Sequence, residues 1–396
     1  MISVAEARTI ILDKVKPLGT EFVAVGAVAG RIAASEIIAK ITQPPFVASA
    51  MDGYAVKFAE AQSGAHLRVV GEAPAGAPFN GKISAGEAIR IFTGAPVPDG
   101  ADHVVIQEDV SRDGDTITIN DKQDRPRNIR NAGIDFAEGD SLAAAGEPLH
   151  EIHGSIFAAA NLSEISVARR PRIAIFSNGD ELIEPGSDLK PGQIINSNHY
   201  GLTALMTAWG GDVEYLGCAP DNETKVREYF ERARDFDLFV PLGGASVGDY
   251  DFVRKAFTSA GGALTFEKIA VRPGKPTWFG RINDAFVLGL PGNPASALVT
   301  AALFVQPLVR KLAGEKVSAL EFEKAALTAP LSANGPREAF LRAVVIHSAA
   351  GKEISPSPNQ DSSLLTPFLK SNALLRRISD APAEKAGETV EYVRLR

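Results

Sequence analysis

Strand and helix patterns alternate through the middle of the chain. Apolar runs at residues 172–176 and 213–218 are each followed by helical spacing, at residues 200–209 and 223–234. Repeated units of one strand and one helix are typical of a doubly wound, mostly parallel sheet. The pattern therefore predicts an α/β domain over residues 171–317.

Two other regions carry short alternating patterns that are typical of strands. In residues 48–132 these segments lie between clusters of glycine, proline and aspartate, and Asp113-Gly114 is a hairpin signal between two of them. Alternation returns in the tail, where polar turns separate the segments. We expect residues 48–132 to form a β-rich inserted domain and residues 318–396 to form a small β-barrel.

The N-terminal segment begins with a helix signal. Ser3 and Glu6 have the spacing of a capping box, and the helix that they open should run to about Val15.

Helical spacing returns after the β-rich insert. Ile152, Ile156 and Phe157 fall on one face of this second helix. We expect residues 1–47 and 133–170 to form one discontinuous helical and extended domain. The predicted fold is thus a multidomain α/β protein with four domains.

Composition and charge narrow the function classes. The chain has 396 residues, of which 45% are hydrophobic and 22% charged, and its formal net charge is −7. A nucleic-acid footprint needs a basic face, so this balance argues against general nucleic-acid binding. We see no signal peptide, and no run approaches the roughly 20 apolar residues of a membrane span.

Cys218 is the only cysteine, which excludes an intramolecular disulfide and fits a cytoplasmic location. We interpret it as a small buried hydrophobic residue rather than a catalytic thiol.

Three glycine-rich loops follow apolar segments between residues 238 and 297. Ligands of parallel sheets bind outside the carboxyl ends of the strands, where glycine lets the backbone approach an anion. A helix that follows such a loop adds unpaired N–H groups. The candidate ligand-binding residues of the three loops are Gly243, Gly244, Ser246, Gly248, Pro273, Gly274, Pro291, Gly292, Asn293 and Pro294.

The charges of these loops differ in sign. Asp249 and Asp251 follow the first loop, and carboxylates suit Mg²⁺. Arg272 and Lys275 lie in the second loop and suit phosphate or another oxyanion. The sequence therefore predicts one site for a phosphate-bearing ligand, a metal and a second anion. Asp221 precedes a helix, so a helix-capping role is its alternative interpretation.

Seven stretches of the chain also match a known family in order. They are AMDGYAV, FTGAPVPDGAD, NGDEL, NSN, GGASVGDYDF, RPGKP and LPGNPASA, and they cover nearly the full length. Together they resemble the molybdopterin molybdenumtransferases, the bacterial relatives of the gephyrin E domain.

The resemblance implies a four-domain subunit and a homodimer. The family enzyme takes adenylylated molybdopterin and molybdate as substrates, places molybdenum on the dithiolene sulfurs and releases AMP in the presence of Mg²⁺. The active site would lie in a cleft where the α/β domain of one subunit faces the β-rich insert of the other. A molybdopterin adenylyltransferase and apo-molybdoenzymes are the protein partners that this place in the pathway implies.

The resemblance also implies roles for individual residues. Asp249, Asp251 and Glu181 would hold the metal, and Asp135, Arg337 and Ser362 align with further family positions. Arg272 stands where relatives often carry lysine, so a planar fork replaces a point charge there. The residues that match the family's active-site positions are Asp52, Thr93, Glu181, Asp221, Asp251, Lys268, Arg272 and Lys275.

Two alternatives to the transferase remain open at this point. The same fold can serve as a non-catalytic molybdopterin-binding or scaffolding module, as the resemblance to gephyrin allows. The chain can also be an enzyme of the preceding step, which adenylylates molybdopterin from ATP. The α/β domain alone suits that step, whereas the insert and the tail point to the later one.

Overall fold

The computed structural model describes residues 1–244, 252–317, 320–349 and 351–395. These residues form a six-stranded central sheet, a six-stranded sheet from the insert, a barrel near the C-terminus and several two-stranded ladders.

The central sheet is the predicted doubly wound sheet. Its first four strands run parallel, and two further strands join one edge through antiparallel pairings. Side chains alternate between two cores, so that Ile173 and Ile175 face one side of the sheet while Ala174 and Phe176 face the other. The strands, in spatial order, are Asp212–Ala219, Arg172–Asn178, Leu238–Leu242, Ala285–Gly289, Trp278–Ile282 and Ala263–Phe266.

Helices cover both faces of this sheet. One face carries Asn198–Ala208 and a continuous helix, Pro294–Leu312, and the other carries Glu223–Glu231 and Phe252–Ser259. The helix Pro294–Leu312 is the only one among the described residues that is long and apolar enough to cross a membrane. Because 72% of its most apolar window is buried inside the protein, it serves as a core helix.

The N-terminal helix has the predicted cap, but it packs into a core that we did not expect. Glu6 accepts the backbone N–H of Ser3 at 2.7 Å, the Ser3 hydroxyl accepts the N–H of Glu6 at 3.1 Å, and the helix is Val4–Lys14. Its buried residues Val4, Ala7 and Ile11 pack into the core of the central sheet. The helix therefore contributes to the core of the central sheet, although we expected it to share a domain with residues 133–170. The boundaries of the four domains stay a prediction.

A smaller core lies between the segments that flank the insert. Helix Glu151–Ala159 packs there through Phe157, whereas Ile152 is 60% exposed. The expectation for Ile152 was wrong, because the buried face of this helix carries His153 and Phe157, and Ile152 lies outside that face. Three antiparallel ladders complete this region: Thr20–Ala24 with Glu164–Ala168, Arg31–Ile32 with Pro148–Leu149, and Ile37–Ile38 with Ser141–Ala143.

The insert forms a mixed sheet, with the predicted hairpin at Asp113-Gly114. A short ladder of Ala48–Ser49 with Ile129–Arg130 closes its base. The strands of the sheet, in spatial order, are His103–Ile106, Gly53–Val56, Glu87–Ile91, His66–Ala73, Thr116–Ile119 and Val110–Asp113.

The tail forms the predicted barrel. Five strands close on themselves because Glu338–Ser348 pairs with both Gly351–Pro356 and Ala373–Arg377. Glu323–Leu327 and Thr389–Arg394 complete the ring, and a short helix, Pro367–Lys370, precedes the closing strand.

A sixth strand on the barrel corrects one expectation. Val271–Arg272 pairs in parallel with Glu338 and Ala339 of the barrel, not with the central sheet. Two of the three glycine-rich loops therefore leave the central sheet, and the basic loop leaves a strand of the barrel sheet. The two-residue strand is too short to show which sheet it joins.

Candidate active site

The ends of the four parallel strands meet around Asn178. Its side-chain amide donates to the carbonyls of Ala219 and Pro220, both at 3.1 Å. The N–H of Gly243 donates to Leu290 O at 3.1 Å. One connected surface thus joins the ends of all four strands, as expected for a ligand site of a parallel sheet.

Gly243 and Gly244 lie close against this surface. Both have a positive φ, +86° and +60°. A Cβ on Gly243 would lie 2.9 Å from Asn178 O, and one on Gly244 would lie 2.2 Å from Val253 Cγ2. No other residue fits either position. Ser246, Gly248, Asp249 and Asp251 lie outside the described residues, so their proposed roles stay predictions.

Carboxylates gather on one side of the strand ends. The N–H of Asp221 donates to Asp180 Oδ1 at 3.1 Å. Burial raises the pKa of the nearby Cys218 thiol to about 11, and the negative charges of Glu184, Glu181, Asp221 and Asp180 add to this rise. Four carboxylates at this edge therefore lie close enough to Cys218 to raise its pKa. Cys218 is half-buried rather than fully buried as we expected, and the raised pKa disfavours the reactive thiolate.

Asp221 does not cap the helix that follows it. The N-cap of Glu223–Glu231 is Asn222, whose side chain accepts the N–H of Lys225 at 3.1 Å. The Asp221 carboxylate is exposed and free of this structural role. The helix-capping alternative for Asp221 was wrong by one residue.

The second loop gathers positive charge. The N–H of Ile269 donates to Lys275 O at 3.1 Å and so closes the chain between them into a compact loop. Lys268, Arg272 and Lys275 project from this loop and its base, and Arg272 and Lys275 are exposed. No carboxylate in the described ranges forms an ion pair with any of the three. The uncompensated charge suits an anion.

The basic loop contacts the helix that follows the third loop. Gly274 has φ +114°, and a Cβ there would lie 2.2 Å from Cγ2 of Thr300. Thr300 belongs to the helix that begins at Pro294. Arg337 adds a fourth cation, because its Nη1 lies 3.4 Å from Val271 O. The second loop therefore packs against the helix that follows the third loop, although the two loops leave different sheets.

The third loop contacts the first loop at Gly243 and the start of the helix Asn198–Ala208 at Asn198. A Cβ on Gly292 would lie 3.5 Å from Gly243 Cα, and Gly292 O accepts the Asn198 amide at 2.7 Å. Asn293 is the N-cap by position, yet its amide donates to Ser362 Oγ at 2.9 Å. Through Ser362, a loop between two strands of the barrel thus contacts the start of the helix that follows the third loop.

Asn178 and Asn198 were not among the predicted site residues. Both amide nitrogens donate to carbonyls, which fixes their orientation. In the described part of the chain, neither Oδ1 has a hydrogen-bond partner, and both are buried. A buried acceptor without a partner costs about 1–3 kcal/mol, so both atoms are suited to accept a donor from a ligand or its water. Both asparagines lie in motifs that the sequence analysis noted, NGDEL and NSN, but only Glu181 of these motifs was predicted as a site residue.

Asp52 and Thr93 meet within the insert. Asp52 Oδ1 accepts the N–H of Thr93 at 2.7 Å and its hydroxyl at 2.8 Å. These bonds, with a smaller effect of the Arg90 charge, lower the pKa of Asp52 below its ordinary value. Across the described ranges, no hydrogen bond joins residues 48–132 to residues 171–317. The structure thus brings Asp52 and Thr93 together, but no described hydrogen bond joins the pair to the strand ends of the same chain, and their role in the site stays a prediction.

Comparison with known proteins decides the family. Three family models match in order: the MoeA N-terminal region (domain I and II) at residues 2–161, a probable molybdopterin binding domain at 174–311 and the MoeA C-terminal region (domain IV) at 324–395. A Haemophilus influenzae protein named molybdopterin molybdenumtransferase is 37% identical over 98% of both chains. The chain belongs to the MoeA family. A Nostoc protein of the same name is also 37% identical, over 86% of this chain and 81% of its own.

Solved MoeA structures agree with this fold. A Pyrococcus horikoshii structure titled as a molybdopterin biosynthesis MoeA protein matches with a TM-score of 0.83 and 30% identity, over 100% of this chain and 99% of that one. A second structure of that name from the same organism matches with a TM-score of 0.80 and 27% identity, over 99% of each chain. The MoeA architecture therefore accounts for the central sheet, the insert and the barrel together.

The donor set of this MoeA chain is compatible with Mg²⁺. Magnesium in proteins is usually held by one or two carboxylates, while waters and substrate phosphates fill the other positions. Asp180, Glu181 and Asp221 are exposed carboxylates at the strand ends. Within the described ranges, no group of three histidine, cysteine or acidic side chains could hold a metal alone. The carboxylates thus fit a metal that is shared with a phosphate ligand.

Proposed function

We propose that this chain is a molybdopterin molybdenumtransferase, which inserts molybdenum from molybdate into adenylylated molybdopterin and releases AMP. The single observation that carries the proposal is the compact basic loop. Its cations Lys268, Arg272 and Lys275 lack carboxylate partners among the described residues, and Gly274 sets the loop against the helix of the third loop. The names of the MoeA relatives support the same reaction.

The loop addresses the electrostatic problem of this reaction. Both substrates are anions, and two unit charges about 4 Å apart repel by roughly 4 kcal/mol at an effective dielectric constant of about 20. Lys268, Arg272 and Lys275 offset this repulsion where the molybdate and the phosphate approach each other. Arg272 offers a planar fork, which can bind two oxygens of one tetrahedral anion.

The carboxylates at the strand ends have a different role. Asp180, Glu181 and Asp221, with the predicted Asp249 and Asp251, would hold Mg²⁺ at the strand ends. When bound, Mg²⁺ neutralises phosphate charge and so makes AMP a better leaving group. The carboxylates also repel molybdate from this side and leave the basic loop as its binding place.

We further propose a homodimer with the site in the subunit cleft. Asp52 and Thr93 of one subunit would face the strand ends of the other. The bonds of the insert support this arrangement, because none of those described reaches residues 171–317 of the same subunit. A cytoplasmic location, and exchange of substrate and product with a molybdopterin adenylyltransferase and apo-molybdoenzymes, complete the proposal.

AMP release from adenylylated molybdopterin tests the function. We expect release that requires both molybdate and Mg²⁺ and that is lost in Asp221→Ala and Asp251→Ala. Tight binding of molybdopterin without AMP would instead show a scaffolding module. Consumption of ATP with molybdopterin as acceptor would show an adenylyltransferase.

A further inference from the structure

A buried arginine of the barrel organises the loop that carries Ser362. Arg342 lies on the strand Glu338–Ser348 and is only 1% exposed. Its guanidinium donates to Gln360 Oε1 at 3.2 Å and to three carbonyls, those of Leu364 at 2.9 Å, Asp361 at 3.0 Å and Asn359 at 3.4 Å. Among the residues described, no carboxylate forms an ion pair with it. Loop oxygens therefore accept its hydrogen bonds, the ring of Phe368 lies 5.6 Å from the guanidinium carbon, and the nearby charge of Asp361 opposes the fall in its pKa that burial causes.

The loop of residues 357–366 is folded around that guanidinium. Gln360 completes the hold, because its amide donates to Arg342 O and to Ser357 O, both at 2.9 Å. The Asp361 carboxylate accepts the N–H and the hydroxyl of Ser363 at 2.8 Å and 2.7 Å. The conformation around Ser362 is thus fixed on both sides.

Ser362 stands where this loop meets the site. Its carbonyl accepts the N–H of Ala295 at 2.9 Å, and its hydroxyl oxygen accepts the Asn293 amide at 2.9 Å. Because the oxygen accepts this bond, the hydroxyl hydrogen remains available to donate to an anion. The loop thereby supplies an oriented donor at the start of the helix Pro294–Leu312.

We propose that Arg342 is a positioning residue for the reaction: it fixes the loop of residues 357–366 so that Ser362 meets Asn293. This inference rests on the proposed function, because Ser362 matters only if an anion binds beside the third loop. A buried charge without a direct ion pair is a poor choice for stability, since apolar replacements of buried charges are often neutral or stabilising. The planar fork explains its presence, because it can bind several diverging carbonyls at once.

A double-mutant cycle tests this role. Arg342→Lys keeps the charge but cannot reach four acceptors, so Ser362 should move. We expect kcat/KM for molybdate in AMP release to fall by about tenfold to a hundredfold, the scale of a misplaced positioning group. In a Ser362→Ala background the same change should cost no further activity, while the melting temperature falls equally in both backgrounds.

The control and the second variant keep the test decisive. Arg377 is a barrel arginine that is 3% exposed and donates to Pro382 O outside this loop, so Arg377→Lys should lower stability without changing KM for molybdate. If Arg342→Lys does not accumulate as folded protein, Gln360→Ala enters the same cycle. Equal losses in both backgrounds, or a wild-type kcat/KM, would overturn the positioning role. Molybdate-dependent AMP release by the wild-type enzyme tests the proposed function separately.

Discussion

A Cβ on Gly274 would lie 2.2 Å from Cγ2 of Thr300, and this contact seats the basic loop against the helix that opens at the third loop. Gly274 also has φ +114°, which side-chain-bearing residues rarely adopt. The loop can therefore approach the site only because residue 274 has no side chain.

Gly274→Ala should accordingly displace the basic loop. We expect a loss of stability of about 2 kcal/mol or more, from the combined backbone strain and overpacking. Molybdate-dependent AMP release should fall further than stability alone explains. Urea unfolding and the activity assay check both effects. Thr300→Ser removes the methyl group that the new Cβ would clash with. Adding it to Gly274→Ala should therefore restore part of the lost stability and activity. Gly335→Ala is the matched control, because nothing lies within 4 Å of a Cβ there.

Cys218 offers a direct probe of the acidic side. Burial and the charges of four carboxylates raise the pKa of its thiol to about 11, so alkylation at pH 8 should be slow. Asp221→Asn removes one of these charges and should lower that pKa, which speeds alkylation by iodoacetamide. Because Cys218 is the only cysteine, the reaction reports one site. Glu214→Gln changes a carboxylate on the same strand that pairs with Arg232 instead, and it should leave the rate unchanged. Equal rates in Asp221→Asn and wild type would contradict the arrangement.

The titration of Asp52 should depend on Thr93. Bonds from the Thr93 N–H and hydroxyl lower the pKa of Asp52, so the carboxylate persists to lower pH than an ordinary aspartate. Thr93→Val removes the hydroxyl bond but keeps the N–H bond. The pKa of Asp52 should therefore rise part of the way towards its ordinary value.

The same change has a consequence for activity. If AMP release needs the Asp52 carboxylate, activity is lost as pH falls through the folded-state pKa, and Thr93→Val should lose it at a higher pH than wild type. Carbon-detected NMR of the Asp52 carboxyl group measures the pKa directly. An unchanged pKa in Thr93→Val would show that the hydroxyl bond does not act on this group.

Subunit mixing tests whether the insert serves the neighbouring subunit. Asp52→Ala and Asp221→Ala should each be inactive. In a shared cleft, a mixed dimer carries both changes in one site and none in the other. Equal mixing after exchange should therefore restore about a quarter of the wild-type activity. A mixture that stays inactive while mixed dimers are detected by mass spectrometry would place both residues in one subunit's site.

The sequence predicted those elements whose signal is local. The apolar run at residues 172–176 and the units of strand and helix after it predicted the doubly wound sheet, and Ser3 with Glu6 predicted the first cap. Each of these signals lies within one or two turns or one strand of the chain.

Features that depend on tertiary contacts were not predicted. Val271–Arg272 is only two residues long and pairs with a strand far along the chain, so no periodicity shows that it joins the barrel sheet. The N-terminal helix has an apolar face, but the sequence does not show which core it faces. Ile152 looked periodic and is exposed, because burial in a first turn depends on what lies opposite.

The candidate site was predicted through its charged and glycine residues. Lys268 and Lys275 do lie at the two sides of one closed loop, and Gly243 and Gly244 do lie where no side chain fits. Asn178 and Asn198 were missed because an asparagine after a strand is far more often a turn or cap residue. Only the contacts of the folded chain show that their oxygens have no partner in the described ranges.

The dependence of AMP release on molybdate concentration in Lys275→Gln tests the central claim most directly. The claim is that the cations of the basic loop bind molybdate beside the substrate's phosphate. Loss of one charge-assisted bond should raise KM for molybdate by about tenfold or more, and added salt should weaken binding less than in wild type. Lys385→Gln removes an equal charge from an exposed position elsewhere on the barrel and should change neither value. A wild-type KM and salt dependence in Lys275→Gln would contradict the account.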